Sequence, residues 1–216
     1  MCGKMSIRNA TLLLGILLQA CSPGTEAQLP YYNTPDFTPH WIDSDERPGE
    51  KISHRIENFS LLDQEGKTIT QETIAGKIHV ANFFFTSCPG ICLRMADNFE
   101  TIQEEFGADP EVVLLSFSVT PWMDSIARLK EYAEQHAIKP DKWHLLTGSK
   151  AAIYDLARTS YFAEEDQGFT KDSTEFLHTE NFILVDKDRR IRGIYKGTLA
   201  LDTEKLIGDI RLLLEE

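Results

Sequence analysis

Two cysteines and one histidine are the residues whose types and spacing could do chemistry. Cys88 and Cys92 stand four apart in Ser87-Cys88-Pro89-Gly90-Ile91-Cys92. Ser87 is an N-cap candidate and Pro89 suits a first helical position, so the run predicts a helix from here to about Phe106. Residues four apart share a helix face, with Cα atoms about 6 Å apart by the rise per residue. That separation lies within the range of a disulfide, and both sulfurs can also point at one ligand. A helix N-terminus stabilises negative charge and lowers the pKa of a thiol placed there, so Cys88 should have thiolate character.

Three chemistries fit such a pair: a structural bridge, dithiol–disulfide exchange, or a metal site. The spacing Cys-x-x-x-Cys departs from the Cys-x-x-Cys of redox motifs. A third ligand of suitable softness is available in His178, within Phe176-Leu177-His178-Thr179-Glu180-Asn181-Phe182. Both points favour metal. Two thiolates and one imidazole suit Cu(I), and Cu(II) with an added ligand. Zinc usually takes four protein ligands in a closed site. The other histidines, His40, His54, His79, His136 and His144, stand singly and are read as solvated or hydrogen-bonded structural residues.

The elements that must position these residues alternate. Residues 77–85, Lys-Ile-His-Val-Ala-Asn-Phe-Phe-Phe, are too short for a full helix and rich in β-formers. They predict a buried central strand that delivers Cys88 to its helix. Residues 54–70 read as a hairpin about Asp63-Gln64-Glu65-Gly66, and residues 111–119 as a second buried strand. An amphipathic helix over 124–136 follows, then a short strand over 143–148 and a helix over 150–158. Residues 161–174 read as an inserted loop. A strand over 181–186, a strand over 191–195 and a last helix over 201–214 close the chain. The class is α/β with a mixed central sheet flanked by helices.

The chain has 216 residues and a formal charge of −12, which suits one domain plus tails. Nucleic acid is excluded as a partner class, because phosphate binding needs a concentrated positive surface. Of the four cysteines, only Cys88 and Cys92 fall inside the folded part, so at most one disulfide can form there. Lys4 and Arg8 precede an apolar core from Ala10 to Leu18 that is too short to span a membrane. Leu18-Gln19-Ala20-Cys21 then resembles a bacterial lipoprotein box. That resemblance implies cleavage before Cys21 and a lipid on the new N-terminus. The expected organisation is a lipoprotein signal peptide over 1–20, an extended Pro-rich tether over 21–50 and one domain over 51–216. Tyr31, Tyr32, Phe37 and Trp41 indicate that part of the tether packs on the domain.

A cysteine pair where the first buried strand meets a helix resembles the signature position of thioredoxin-like folds. In those folds a cis-proline loop faces the cysteines; no proline follows Pro140 here, and His178 stands in that place. Phe85-Thr86-Ser87-Cys88-Pro89-Gly90-Ile91-Cys92, Leu115-Ser116-Phe117-Ser118-Val119 with Pro121 and Asp124, Leu146-Thr147-Gly148, and His178 before Phe182-Ile183-Leu184-Val185-Asp186 together resemble the Sco/SenC family. The resemblance covers about Lys51 to Glu216. It implies copper held by Cys88, Cys92 and His178, and a membrane-anchored protein on the periplasmic face of a bacterial membrane. It also implies a role in assembling the dinuclear copper centre of the second subunit of cytochrome c oxidase. The protein would act as copper donor, or as a thiol-disulfide reductase of that subunit, with Cys88 attacking and Cys92 resolving to a Cys88–Cys92 disulfide. Thr120-Pro121 stands where the family has Asp-Pro, so that only Asp124 remains, and Leu93 stands where members often have Pro.

Overall fold

The computed structural model describes residues 28–43, 45–163 and 179–216. In chain order the elements are β1 (Tyr31–Tyr32), β2 (Pro39–His40), α1 (Pro48–Lys51), β3 (Ser60–Leu62), β4 (Thr68–Thr70), β5 (Ile78–Phe84), α2 (Ile91–Glu105) and β6 (Val112–Ser118). There follow α3 (Ile126–Gln135), β7 (Trp143–Leu146), α4 (Lys150–Asp155), β8 (Asn181–Val185), β9 (Ile191–Lys196) and α5 (Ala200–Glu215). A single π-helical turn, Leu156–Ser160, extends α4.

Seven strands form one mixed sheet in the order β2-β1-β9-β8-β5-β6-β7. β5, β6 and β7 run parallel, while β8 pairs antiparallel with both β5 and β9. β3 and β4 form a separate hairpin, held to the end of β7 by paired bonds between Leu62 and Thr147.

β5 is buried along its whole length, because the sheet is covered on both faces. Alternate residues feed opposite cores. Ile78, Val80 and Phe84 join a core with Met95, Phe99 and Ile102 of α2 and Leu206 and Ile210 of α5. Ala81 and Phe83 join Phe117, Leu146, Ile153 and the hairpin residues Leu61 and Ile69. The buried positions of α2, Cys92, Met95, Ala96, Phe99, Ile102 and Gln103, keep the helical three-to-four spacing. Each large apolar side chain sunk this way stabilises the fold by roughly 1.5–3 kcal/mol.

The fold is thus α/β with a mixed sheet, and the site lies at the C-terminal ends of β5 and β6. The arm marked off by sequence at residues 21–50 contributes β1 and β2 from residue 28 onward, with Tyr32 paired to Ile191 at the start of β9. The inserted loop expected over 161–174 lies largely outside the described residues, beyond Ala163. Among the described residues no helix is long and apolar enough to cross a membrane.

Candidate metal centre

β5 ends at Phe84, and a turn through Thr86 and Ser87 carries the chain to Cys88. α2 begins only at Ile91, with Gly90 as its N-cap at φ −138° and ψ −98°. The expected helix start at Ser87–Pro89 is therefore corrected by three residues. Gly90 takes a backbone geometry outside the helix, and Ser87 makes no capping contact with α2. Cys88 lies in the turn before the helix, and Cys92 is the second residue inside it. Cys88 N–H donates to the Phe85 carbonyl at 3.3 Å, closing the turn.

The two thiols are brought together in unequal surroundings. Cys88 is half-buried and packs against the core that contains the buried Cys92. Burial pushes the Cys88 thiol up. The Cys92 side chain and the backbone amides of Gly90, Cys92 and Ile91 outweigh that, leaving its pKa below the ordinary thiol value. For Cys92 the signs reverse. Burial, its hydrogen bond to Cys88 and the Cys88 charge push its pKa up to about 12. Of the two, Cys88 gives up its proton first, and the Cys92 thiol donates to it. Tyr132 of α3 lies in the same environment, and its phenol is raised by burial and then by the charges of Cys92 and Cys88.

Asp124 anchors the turn that presents Cys88. It is fully buried, and its carboxylate accepts from Thr86 Oγ1 at 2.6 Å, Ser118 Oγ at 2.6 Å and Thr120 Oγ1 at 2.9 Å. Arg128 Nε donates to Thr86 Oγ1 at 3.2 Å. The network ties the end of β5 to the end of β6. Thr120 is a donor in this network, and the Asp124 oxygens are occupied by hydroxyls. Thr86, Ser118 and Asp124 all fall within the motifs that carry the resemblance, but the sequence assigns none of them this network, and it gives Tyr132 no place at the site. The available signal was the gathering of hydroxyl residues at the C-terminal ends of two adjacent strands.

His178 and Cys21 lie outside the described residues. β8 starts at Asn181, and its register, Ala81 opposite Ile183, sets that first residue beside the C-terminal end of β5. Among the described residues no group of three or more His, Cys, Asp or Glu side chains could hold a metal ion. The other described histidines have structural partners. His54 meets the Ser160 carbonyl, His79 the Tyr161 hydroxyl, and His144 the Asp63 carboxylate, while the His136 ring packs on Tyr132; His40 is exposed.

A family model described as SCO1/SenC matches residues 48–215. The "SCO1 protein homolog" of Bacillus subtilis is 29% identical over 164 residues, covering 75% of this chain and 84% of that protein. The solved structure of BsSco is described as having a disulfide switch and as a member of the Sco family of cytochrome c oxidase assembly proteins. It superposes with a TM-score of 0.63 at 28% identity, over 74% of this chain and 93% of its own. The structure of Bradyrhizobium japonicum ScoI with copper bound superposes with a TM-score of 0.58 at 27% identity, over 73% of this chain and 98% of its own. These likenesses give the α/β architecture its thioredoxin-like, Sco-type identity. With the family model spanning most of the chain and the cysteine pair at the end of β5, the chain belongs to the SCO1/SenC family.

Proposed function

We propose that the protein is a copper metallochaperone for the assembly of the dinuclear copper centre of cytochrome c oxidase. Copper is its cargo, held by Cys88, Cys92 and His178. The observation that carries this reading is the sulfur pair itself: one half-buried cysteine of lowered pKa and one buried thiol hydrogen-bonded to it. Two sulfurs form a soft donor set that suits Cu(I). His178 precedes Asn181 by three residues, about 10 Å of extended chain at most, and Asn181 opens β8 beside the cysteine end of β5. Three ligands leave the metal open to an incoming sulfur or nitrogen of the accepting subunit, so cargo passes by ligand exchange. A lipid on Cys21 would hold the protein at the periplasmic face of a bacterial membrane. The basic n-region, the short apolar core and the small residue before Cys21 support this.

The test is competitive Cu(I) titration of the wild type, His178→Ala and Cys92→Ser. Both variants should bind at least tenfold more weakly, with unchanged far-ultraviolet circular dichroism. Unchanged affinity in His178→Ala removes His178 from the site.

The inequality of the two thiols also favours a second reading, thiol–disulfide reduction. The Cys88 thiolate would attack a partner disulfide and release one partner thiolate. Cys92, once deprotonated, would then resolve the mixed disulfide, giving a Cys88–Cys92 bond and a reduced partner. Turnover of a disulfide substrate under a copper chelator, equal in wild type and His178→Ala, would select this reading over the first.

A further inference from the structure

At the end of β5 remote from the cysteines lies an open cleft of about 550 Å³. Its walls are the segment before β3, the turn between β4 and β5, and the β8–β9 turn. The last of these follows Val185, which pairs with His79 near the start of β5. Cys88 lies beyond Phe84, which is five residues and about 17 Å further along the strand. The cleft is preformed. Ile56 N–H donates to the Arg189 carbonyl at 2.9 Å, and Asp186 Oδ1 accepts from the amides of Asp188 and Arg190 at 3.0 and 2.8 Å. A volume of this size suits a small ligand or a short chain end.

The chain carries a net charge of −12, yet this lining is net positive, with Arg55, Lys187 and Arg189 against Glu72 and Asp188. Arg55 Nη1 donates to the Asp188 carbonyl at 2.9 Å, and Arg189 Nη1 to Asn58 Oδ1 at 2.9 Å. Both acceptors are neutral, and among the described residues neither guanidinium has a carboxylate partner. The Asp188 carboxylate is taken by Arg190, and Lys187 pairs with Glu111 at 3.2 Å. Each of the two arginines keeps further N–H donors, in a planar fork that matches a carboxylate. Gln71 lies on the same lining. Both polar atoms of its side chain are buried, and among the described residues neither has a hydrogen-bond partner. An unpaired buried amide is costly, and a ligand that supplies both a donor and an acceptor removes that cost. Gln71 as a whole is only half-buried, so a turn of its side chain brings the amide into the cleft.

We propose that this cleft binds the free carboxyl end of a polypeptide. Arg55 and Arg189 hold the terminal carboxylate. The Gln71 amide pairs with the last peptide group, donating to its carbonyl and accepting from its N–H. A bare carboxylate or sulfate offers acceptors alone and would leave the Gln71 carbonyl unpaired. A chain end brings the anion, the N–H and the carbonyl together, and capture of a terminal carboxylate by converging donors is an established mode of peptide recognition. Phe59, packed against Phe117, and Ala75 give an apolar wall for the last side chain. Glu72 is exposed and carries the one carboxylate on the lining without a cation among the described residues, so it opposes the ligand's charge.

The test titrates the full chain calorimetrically with acetyl-Ala-Ala-Leu bearing a free carboxylate, with the same peptide as its carboxyl-terminal amide, and with inorganic sulfate. The free acid should bind at least tenfold more tightly than the amide. It should also shift the Gln71 side-chain amide resonance in heteronuclear NMR spectra, which Gln71→Leu identifies by its loss. Arg55→Lys and Arg189→Lys keep the charge but lose the fork, and each should weaken the free acid at least threefold. Gln71→Leu should weaken it as much and leave sulfate binding unchanged. Glu72→Gln should tighten it. Gln71→Glu keeps the shape and sets a negative charge against the ligand, so it covers the case of a misfolded Gln71→Leu and should lose the free acid. Equal affinity for acid and amide overturns the proposal, and so does wild-type affinity in both Gln71 variants. Sulfate binding as tightly as the free acid overturns it in favour of a bare cationic patch. No binding of the free acid at millimolar concentration overturns it outright.

Discussion

Replacing Asp124 tests whether the turn presenting Cys88 is held from beneath. Asp124→Ala removes the acceptor of three hydroxyls, at 2.6, 2.6 and 2.9 Å. A hydrogen bond to a charged group is worth about 1.5–3 kcal/mol, and a buried donor left unpaired costs about 1–3 kcal/mol. Some relief is available, since Ser118 Oγ also accepts from Thr120 N–H at 3.2 Å and its hydroxyl can turn. A loss of about 3–5 kcal/mol is expected, at the upper end for a single substitution. Asp124→Asn keeps the shape and one acceptor oxygen but brings a donor to face hydroxyls, so about 1–2 kcal/mol is expected. Urea unfolding of the dithiol protein measures both. The link to the site is read separately, from the pH dependence of Cys88 alkylation. With Thr86 released, the amides of Gly90, Ile91 and Cys92 no longer hold their aim, and the Cys88 pKa should rise towards the ordinary thiol value. Thr86→Val should reproduce the alkylation change at smaller cost in stability. An Asp124→Ala protein within 1 kcal/mol of wild type refutes the energetic argument. Lost stability with an unchanged Cys88 profile refutes the positioning argument.

Copper binding should release a proton, because both sulfurs ligate as thiolates and Cys92 holds its proton up to about 12. Affinity should therefore rise at least tenfold per pH unit across the neutral range; a flat profile in competitive titrations between pH 6.5 and 8.5 would exclude Cys92 as a ligand. His79 is buried neutral, and burial lowers its pKa from 6.5 to about 3. Because the unfolded chain takes up that proton first, stability is full above about pH 6.5 and falls as the pH drops towards 3. The loss is at most about 5 kcal/mol, from 1.36 kcal/mol per unit. His79→Leu should flatten that limb in urea titrations, and an unaltered acid limb would show that other groups set it.

How much could be read without coordinates follows from the range of each interaction. Strands β5, β6 and β8, helices α2, α3 and α5, and the neighbourhood of Cys88 and Cys92 were legible because burial imposes local periodicity and the two sulfurs are four residues apart. The exact start of α2 was not, because Ser87 and Pro89 fit a helix start by type while Gly90 decided it by conformation. Nor was the role of Asp124, whose partners Thr86 and Ser118 are 38 and 6 residues away and meet it only where β5 and β6 pair. The splitting of the two thiols was equally hidden, since it comes from burial of Cys92 against α2's core and the aim of three amides. The furthest case is Arg192, whose buried guanidinium donates to the Leu29 carbonyl, 163 residues away, and to the Glu216 carboxylate, 24 residues away. Residue type and spacing determined which chemistry this chain can carry. Tertiary structure decided which thiol gives up its proton more readily and what holds it in place, because those depend on contacts between residues that no local pattern brings together.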